Sequence, residues 1–155
     1  MNLVVTGSRD WPEDEPDMIF LVLDRVFWGN HREEPYHVHV GYDPKHRRPS
    51  GVDRIVYEKM KWVNEPRSFV PVKLHTYPAD WDRYGKKAGV IRNAEMLRTA
   101  ESGLVVAFHA SPDHYLDLNR KAQGKDGPSG TNHCARLAER MRTFEVVDLI
   151  RNPRG

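Results

Sequence analysis

Asn2-Leu3-Val4-Val5-Thr6-Gly7-Ser8-Arg9-Asp10-Trp11 is a short apolar run that meets a glycine and turns polar at once. A β-branched run closed by a turn residue reads as a buried strand, here Asn2–Thr6. Four similar runs follow, at His37–Val40, Phe69–Thr76, Leu104–Phe108 and Phe144–Ile150. Between them lie helical patterns. Pro16–Trp28 repeats Ile19, Leu23, Val26 and Phe27 at helical spacing and stops at Gly29-Asn30. Gly51–Trp62, Gly85–Ala100 and Thr131–Arg142 read the same way. Strands alternating with helices imply an α/β fold with right-handed crossovers. The expectation is a doubly wound, mainly parallel five-stranded Rossmann-like sheet flanked by helices. Ligands in such sheets sit beyond the carboxyl ends of the strands.

Composition narrows the class. The 155 residues suit one domain, at ~150 residues per domain. We assign residues 1–150 to that domain and Arg151–Gly155 to a frayed tail. Lysine and arginine number 24 against 22 acids, a net charge of +2, too small to argue for a nucleic-acid partner. A lone Cys134 excludes a disulfide framework and a cysteine-based zinc site. Asp24 and Arg25 interrupt the longest apolar stretch, Met18 to Trp28, and a membrane span needs ~20 residues. The opening Met-Asn-Leu-Val-Val-Thr-Gly has no basic flank or cleavage site, so no signal peptide is expected.

Polar and glycine residues gather where strands end. In the first turn, Gly7 allows close backbone approach, Ser8 offers a hydroxyl and Arg9 a fork for phosphate or carboxylate. The second and third glycines of the dinucleotide fingerprint are missing, so NAD held in the usual Rossmann manner is not supported. Ser50-Gly51-Val52-Asp53 opens the second helix, where Asp53 either caps or binds a hydroxyl such as a ribose. In Pro78–Asn93, Asp80 is a cap or anchor and Trp81 either stacks on a base or fills the core. Gly89, costing about 1 kcal/mol in a helix interior, suggests close approach to a backbone or ligand. Arg92 can clamp an anion and Asn93 can read an amide or base edge. Ser129-Gly130-Thr131 precedes the last helix, with Thr131 as its cap and free N–H groups for phosphate. No lysine follows Gly130, so this is not a Walker loop.

In this order the motifs resemble the YspA-type branch of the SLOG superfamily of Rossmann-like nucleotide-binding domains. The matching pieces are Val5-Thr6-Gly7-Ser8-Arg9-Asp10-Trp11, Gly51-Val52-Asp53-Arg54, the segment Pro78–Leu97 and Ser129-Gly130-Thr131. The resemblance implies a nucleotide or nucleotide-derived ligand at the carboxyl edge, and a cytoplasmic protein of a bacterial cell or phage-infected host. It is compatible with a homo-oligomer. Related phosphoribohydrolases use an Arg, matched here by Arg92, and a Glu whose position is occupied by Cys134.

Three functions stay open. The leading expectation is a sensor or binder of a nucleotide-like small molecule. Arg9, Ser129, Gly130 and Thr131 would then hold phosphate, Asp53 ribose, and Arg92, Asn93 and Trp81 the base or sugar. The second is a phosphoribohydrolase-like enzyme, with Arg92 and Asp53 as catalytic candidates. The third is single-stranded DNA binding, using Trp11, Trp81, Tyr84 and the basic Tyr42–Ser50 loop. No metal site is expected: His37, His39, His109 and His114 lack ligand spacing and read as surface or hydrogen-bonded residues. Cys134 reads as a small packing residue, and Arg136, Arg140 and Arg142 as a solvated helix face.

Overall fold

The structure, a computed structural model, describes residues 1–28, 35–43, 50–63 and 72–152. The expected Gly29-Asn30 stop, the start of the third strand and most of the Tyr42–Ser50 loop lie outside the described residues. Five strands form one sheet in the order β3-β2-β1-β4-β5: β1 (Asn2–Gly7), β2 (Tyr36–Val40), β3 (Val72–Thr76), β4 (Gly103–His109) and β5 (Phe144–Ile150). Every pairing is parallel, with Val5 beside Val40 and Gly7 beside Phe108. A parallel sheet needs cover on both faces, which is why β1 reads as an unbroken apolar run. Leu3 and Val5 face one helical layer, Val4 the other.

The first layer holds α1 (Asp17–Trp28) and α2 (Gly51–Val63). Ile19, Leu23 and Phe27 of α1 and Val52, Val56 and Met60 of α2 pack with Leu3, Val5, Val38 and Phe108. Trp11 is in this core at 2% exposure, edge-on to Phe108 at 5.8 Å, with its Nε1–H donating to Glu15 O at 2.9 Å. This corrects its reading as a ligand-stacking residue: the ring is spent on the core. The second layer holds α4 (Ala88–Ala100) and α7 (Gly130–Met141), whose Met96, Leu97, Cys134 and Ala138 close over Val4 and Val105.

Three boundaries differ from expectation. The expected third helix, Gly85–Ala100, is a 3₁₀ turn (Gly85–Lys87) followed by α4, and a short α3 (Trp81–Tyr84) precedes it. Asp80 caps α3 by accepting from the Arg83 N–H at 3.1 Å, and Gly85 ends it at φ +57°, a conformation glycine adopts without strain. The loop from Ser111 to Ser129 contains two short helices, α5 (Pro112–Tyr115) and α6 (Leu118–Ala122). The tail is anchored at its start. Arg151 donates from its backbone to His109 O at 2.8 Å, from Nε to Ala110 O at 3.0 Å and from a guanidinium nitrogen to Glu15 at 2.6 Å. Arg136 also departs from a solvated face, pairing with Asp148 of β5.

Candidate functional site

The sheet order reverses at β1, which lies between β2 and β4, and the space beyond their carboxyl ends is where sheets of this kind take ligands. Ser8 builds its floor. Its N–H donates to Phe108 O at 3.0 Å, its Oγ accepts from the Ala110 N–H at 3.1 Å, and its carbonyl accepts from Trp11 and Val52. Only 8% exposed, Ser8 joins β1, β4 and α2. Gly51 starts α2 at φ +67°, and a Cβ there would lie 2.7 Å from Arg9 Cα, so only glycine lets the helix press onto the loop. Gly7 is packed against Val52 with equally little room.

Charged groups converge above this floor. Arg92 of α4 donates from Nη1 to Gly41 O at 2.5 Å and to Tyr77 O at 3.4 Å, bridging the ends of β2 and β3. Its Nε donates to Asn93 Oδ1 at 3.0 Å. Asp53, in the first turn of α2, is close enough to feel both Arg92 and Arg9. Burial pushes its carboxyl above the usual carboxylate range, and the two guanidiniums oppose that only in part. Cys134 of α7 feels Arg92 and Asp53, with Thr6 close beside it. Burial pushes its thiol up to about 12, so it stays protonated. Arg9 and Thr6 from β1 and its loop, Asp53 from α2, Arg92 from α4 and Cys134 from α7 therefore form one cluster. Chemically it offers cations for an anion and a carboxyl that holds its proton unusually well.

The remaining sequence candidates divide. Trp81 is 37% exposed, with the Arg9 guanidinium 5.5 Å from its ring centre, so an aromatic face stands beside the loop after β1. Gly89 lies in the first turn of α4, and a Cβ there would meet only the edge of Trp81 at an ordinary 3.6 Å, so no neighbouring backbone requires glycine. Asn93 is 2% exposed and internally bonded, its Nδ2 donating to Gly130 O at 3.1 Å. It braces α4 and α7 and holds Arg92, rather than reading a base. Ser129, not Thr131, caps α7, its Oγ accepting from the Asn132 N–H at 3.1 Å. Thr131 is buried and Gly130 exposed. As first-turn residues, their N–H groups have no partner within the helix.

Thr6, Gly41 and Tyr77 escaped the sequence reading. For Gly41 the signal was present: it follows a strand as Gly7 does. The others meet Cys134 and Arg92 only through strand register and helix packing.

The discounted histidines are hydrogen-bonded. His39 is buried, its Nδ1 2.8 Å from Tyr77 Oη and its Nε2 2.9 Å from Asn2 Oδ1, and it stacks on His75 at 4.7 Å. His37 Nδ1 lies 2.8 Å from His75 Nε2. His109 Nε2 lies 2.9 Å from Asp148. Among the described residues no group of His, Cys, Asp or Glu side chains is arranged to hold a metal ion, and no helix is long and apolar enough to cross a membrane.

No protein-family model matches the chain, and no solved structure does. Among curated proteins, the Gene 61 protein of Mycobacterium phage D29 is 33% identical over 139 residues, covering 89% of this chain and 88% of that protein. Identity at that level over nearly the full length of both shows common descent, so the chain belongs to the family of the Gene 61 protein of Mycobacterium phage D29.

Proposed function

We propose that the chain binds a nucleotide or nucleotide-derived small molecule at the carboxyl edge of its sheet. One observation carries this reading: Asp53 stands under the influence of Arg9 and Arg92, which reach it from separate segments at the point where strand order reverses. Arg9 and the first-turn N–H groups of α7 receive phosphate. Asp53 accepts from sugar hydroxyls. Trp81, already faced by Arg9, lies against the base. Ser8, Asn93 and Ser129 support the seat through the bonds described above. The protein acts in the cytoplasm of the infected cell, a reading supported by the phage relative.

A thermal-shift screen with nucleoside mono- and diphosphates, cyclic nucleotides and ADP-ribose tests this. A ligand at 100 times its Kd adds about 2.7 kcal/mol, or roughly 5–10 °C in a domain of this size. Arg9→Ala should abolish the shift. No shift with any of these compounds defeats the proposal.

A second reading, N-glycoside hydrolysis of a nucleoside monophosphate, is favoured by the proton-retaining carboxyl of Asp53 beside Arg92. Free base released from AMP, and lost in Asp53→Asn, supports it. No base at high protein concentration retires it. Single-stranded DNA binding ranks lower, since Trp11 is committed to the core.

A further inference from the structure

A second set of side chains occupies the same rim. Ser111 follows β4, and the turn of α5 brings His114 back over it, with Ser111 Oγ 2.7 Å from His114 Nδ1. The other ring nitrogen, Nε2, lies 2.9 Å from Asp10 Oδ2 in the loop after β1. An ionised Asp10 only accepts, so Nε2 carries the proton. A neutral ring then leaves Nδ1 as an acceptor, and the Ser111 O–H donates into it. Ser111 Oγ also accepts from the His114 N–H at 3.3 Å. That bond caps α5, and it would stabilise the oxygen's charge as the proton leaves. Capping alone requires neither an imidazole aimed at the serine oxygen nor a carboxylate 104 residues away on the ring's far side. The side-chain amide of Asn132 donates to the carbonyls of His114 and Tyr115, at 3.3 and 3.0 Å, and fixes this turn against α7.

We propose that Ser111, His114 and Asp10 form a nucleophilic relay that hydrolyses an activated carboxylic ester. Ser111 Oγ bonds to the acyl carbon while its proton passes to His114 Nδ1. The bond to the leaving alcohol breaks, and the alcohol departs with that proton. Water then adds to the acyl-serine and gives a proton to Nδ1. The carboxylic acid leaves, and the proton returns to Ser111 Oγ. No oxidant, reductant or metal is consumed. Asp10 is a positioning residue: its side chain is 69% exposed, and it acts by fixing the ring and its tautomer. The relay stands apart from the nucleotide reading, and either can fail alone.

The test is labelling of the full chain with diisopropyl fluorophosphate, followed by intact mass and peptide mapping, alongside burst kinetics with p-nitrophenyl acetate. One adduct per chain at Ser111 is expected. His114→Gln should label at least ~100-fold more slowly at an unchanged Tm. Asp10→Asn should label about 10-fold more slowly at an unchanged Tm, and Asp10→Glu should restore the rate by returning a carboxylate to Nε2. Ser111→Asp, which keeps an oxygen for the cap, should fold and give no adduct. No adduct on the wild type, an adduct at another residue, or wild-type labelling of His114→Gln overturns the proposal.

Discussion

The guanidinium of Arg92 rests on the carbonyl oxygen of Gly41 at 2.5 Å, and the absence of a side chain at Gly41 makes that contact. A Cβ at residue 41 would lie 2.6 Å from Arg92 Cζ, inside the distance real contacts allow. Gly41→Ala should therefore push aside the far end of one flexible side chain while leaving the sheet intact. The expected cost is about 1–3 kcal/mol, that of a charge-assisted hydrogen bond. Ligand affinity should fall at least ~10-fold. Chemical denaturation and ligand titration on the same variant separate the two effects.

Gly89→Ala should behave oppositely. Gly89 needs no positive φ, and its Cβ would have space beside Trp81. Alanine should stabilise α4 by about 0.5–1 kcal/mol through helix propensity and a less flexible unfolded chain. A raised denaturation midpoint with an unchanged m-value checks this. A loss of stability would mean that the Trp81 ring cannot tolerate the methyl.

Asp53 should reduce stability at neutral pH. Its folded pKa lies above the unfolded value of 3.8, so the folded state holds the proton more tightly. Stability then falls as pH rises above 3.8, and the loss is complete above the folded pKa. Asp53→Asn should raise Tm at pH 7, with the gain vanishing below pH 3.8. Ligand binding should be lost in the same variant. Paired melts from pH 3 to pH 8 read the first effect and titration reads the second.

His39 should make the protein acid-sensitive. Burial, with His75 and His37 adding to it, lowers its pKa from 6.5 to about 4. The unfolded state therefore binds the proton first. The stabilisation is complete above pH 6.5 and is lost as pH falls towards 4, roughly 3 kcal/mol in all. His75, also lowered mainly by burial, acts in the same direction. The Tm of the wild type should drop across this window, and His39→Gln should flatten the profile.

The sheet was legible because buried parallel strands are apolar on both faces and each ends at a turn residue. Gly7, Gly51, Asp53 and Arg92 stood out for the same local reason. Trp11 did not, because stacking on a ligand and packing on Phe108 look alike until β1 and β4 are in register. Gly89 misled because α4 begins at Ala88, three residues later than periodicity places it. The stacked histidines were half visible. His37 and His39 share a face, but His75 joins them only through the pairing of β2 with β3, which no local pattern encodes.

Calorimetric titration with AMP and with ADP-ribose tests the shared anion seat most directly, on wild type, Arg9→Ala and Arg92→Ala. Saturable binding of at least one compound by wild type is expected, weakened at least ~10-fold by either substitution, since Arg9→Ala removes a charge-assisted bond to the phosphate and Arg92→Ala removes the cation beside Asp53. Wild-type heats indistinguishable from dilution for both compounds, or binding untouched in both variants, would contradict the assignment of this rim as a nucleotide site.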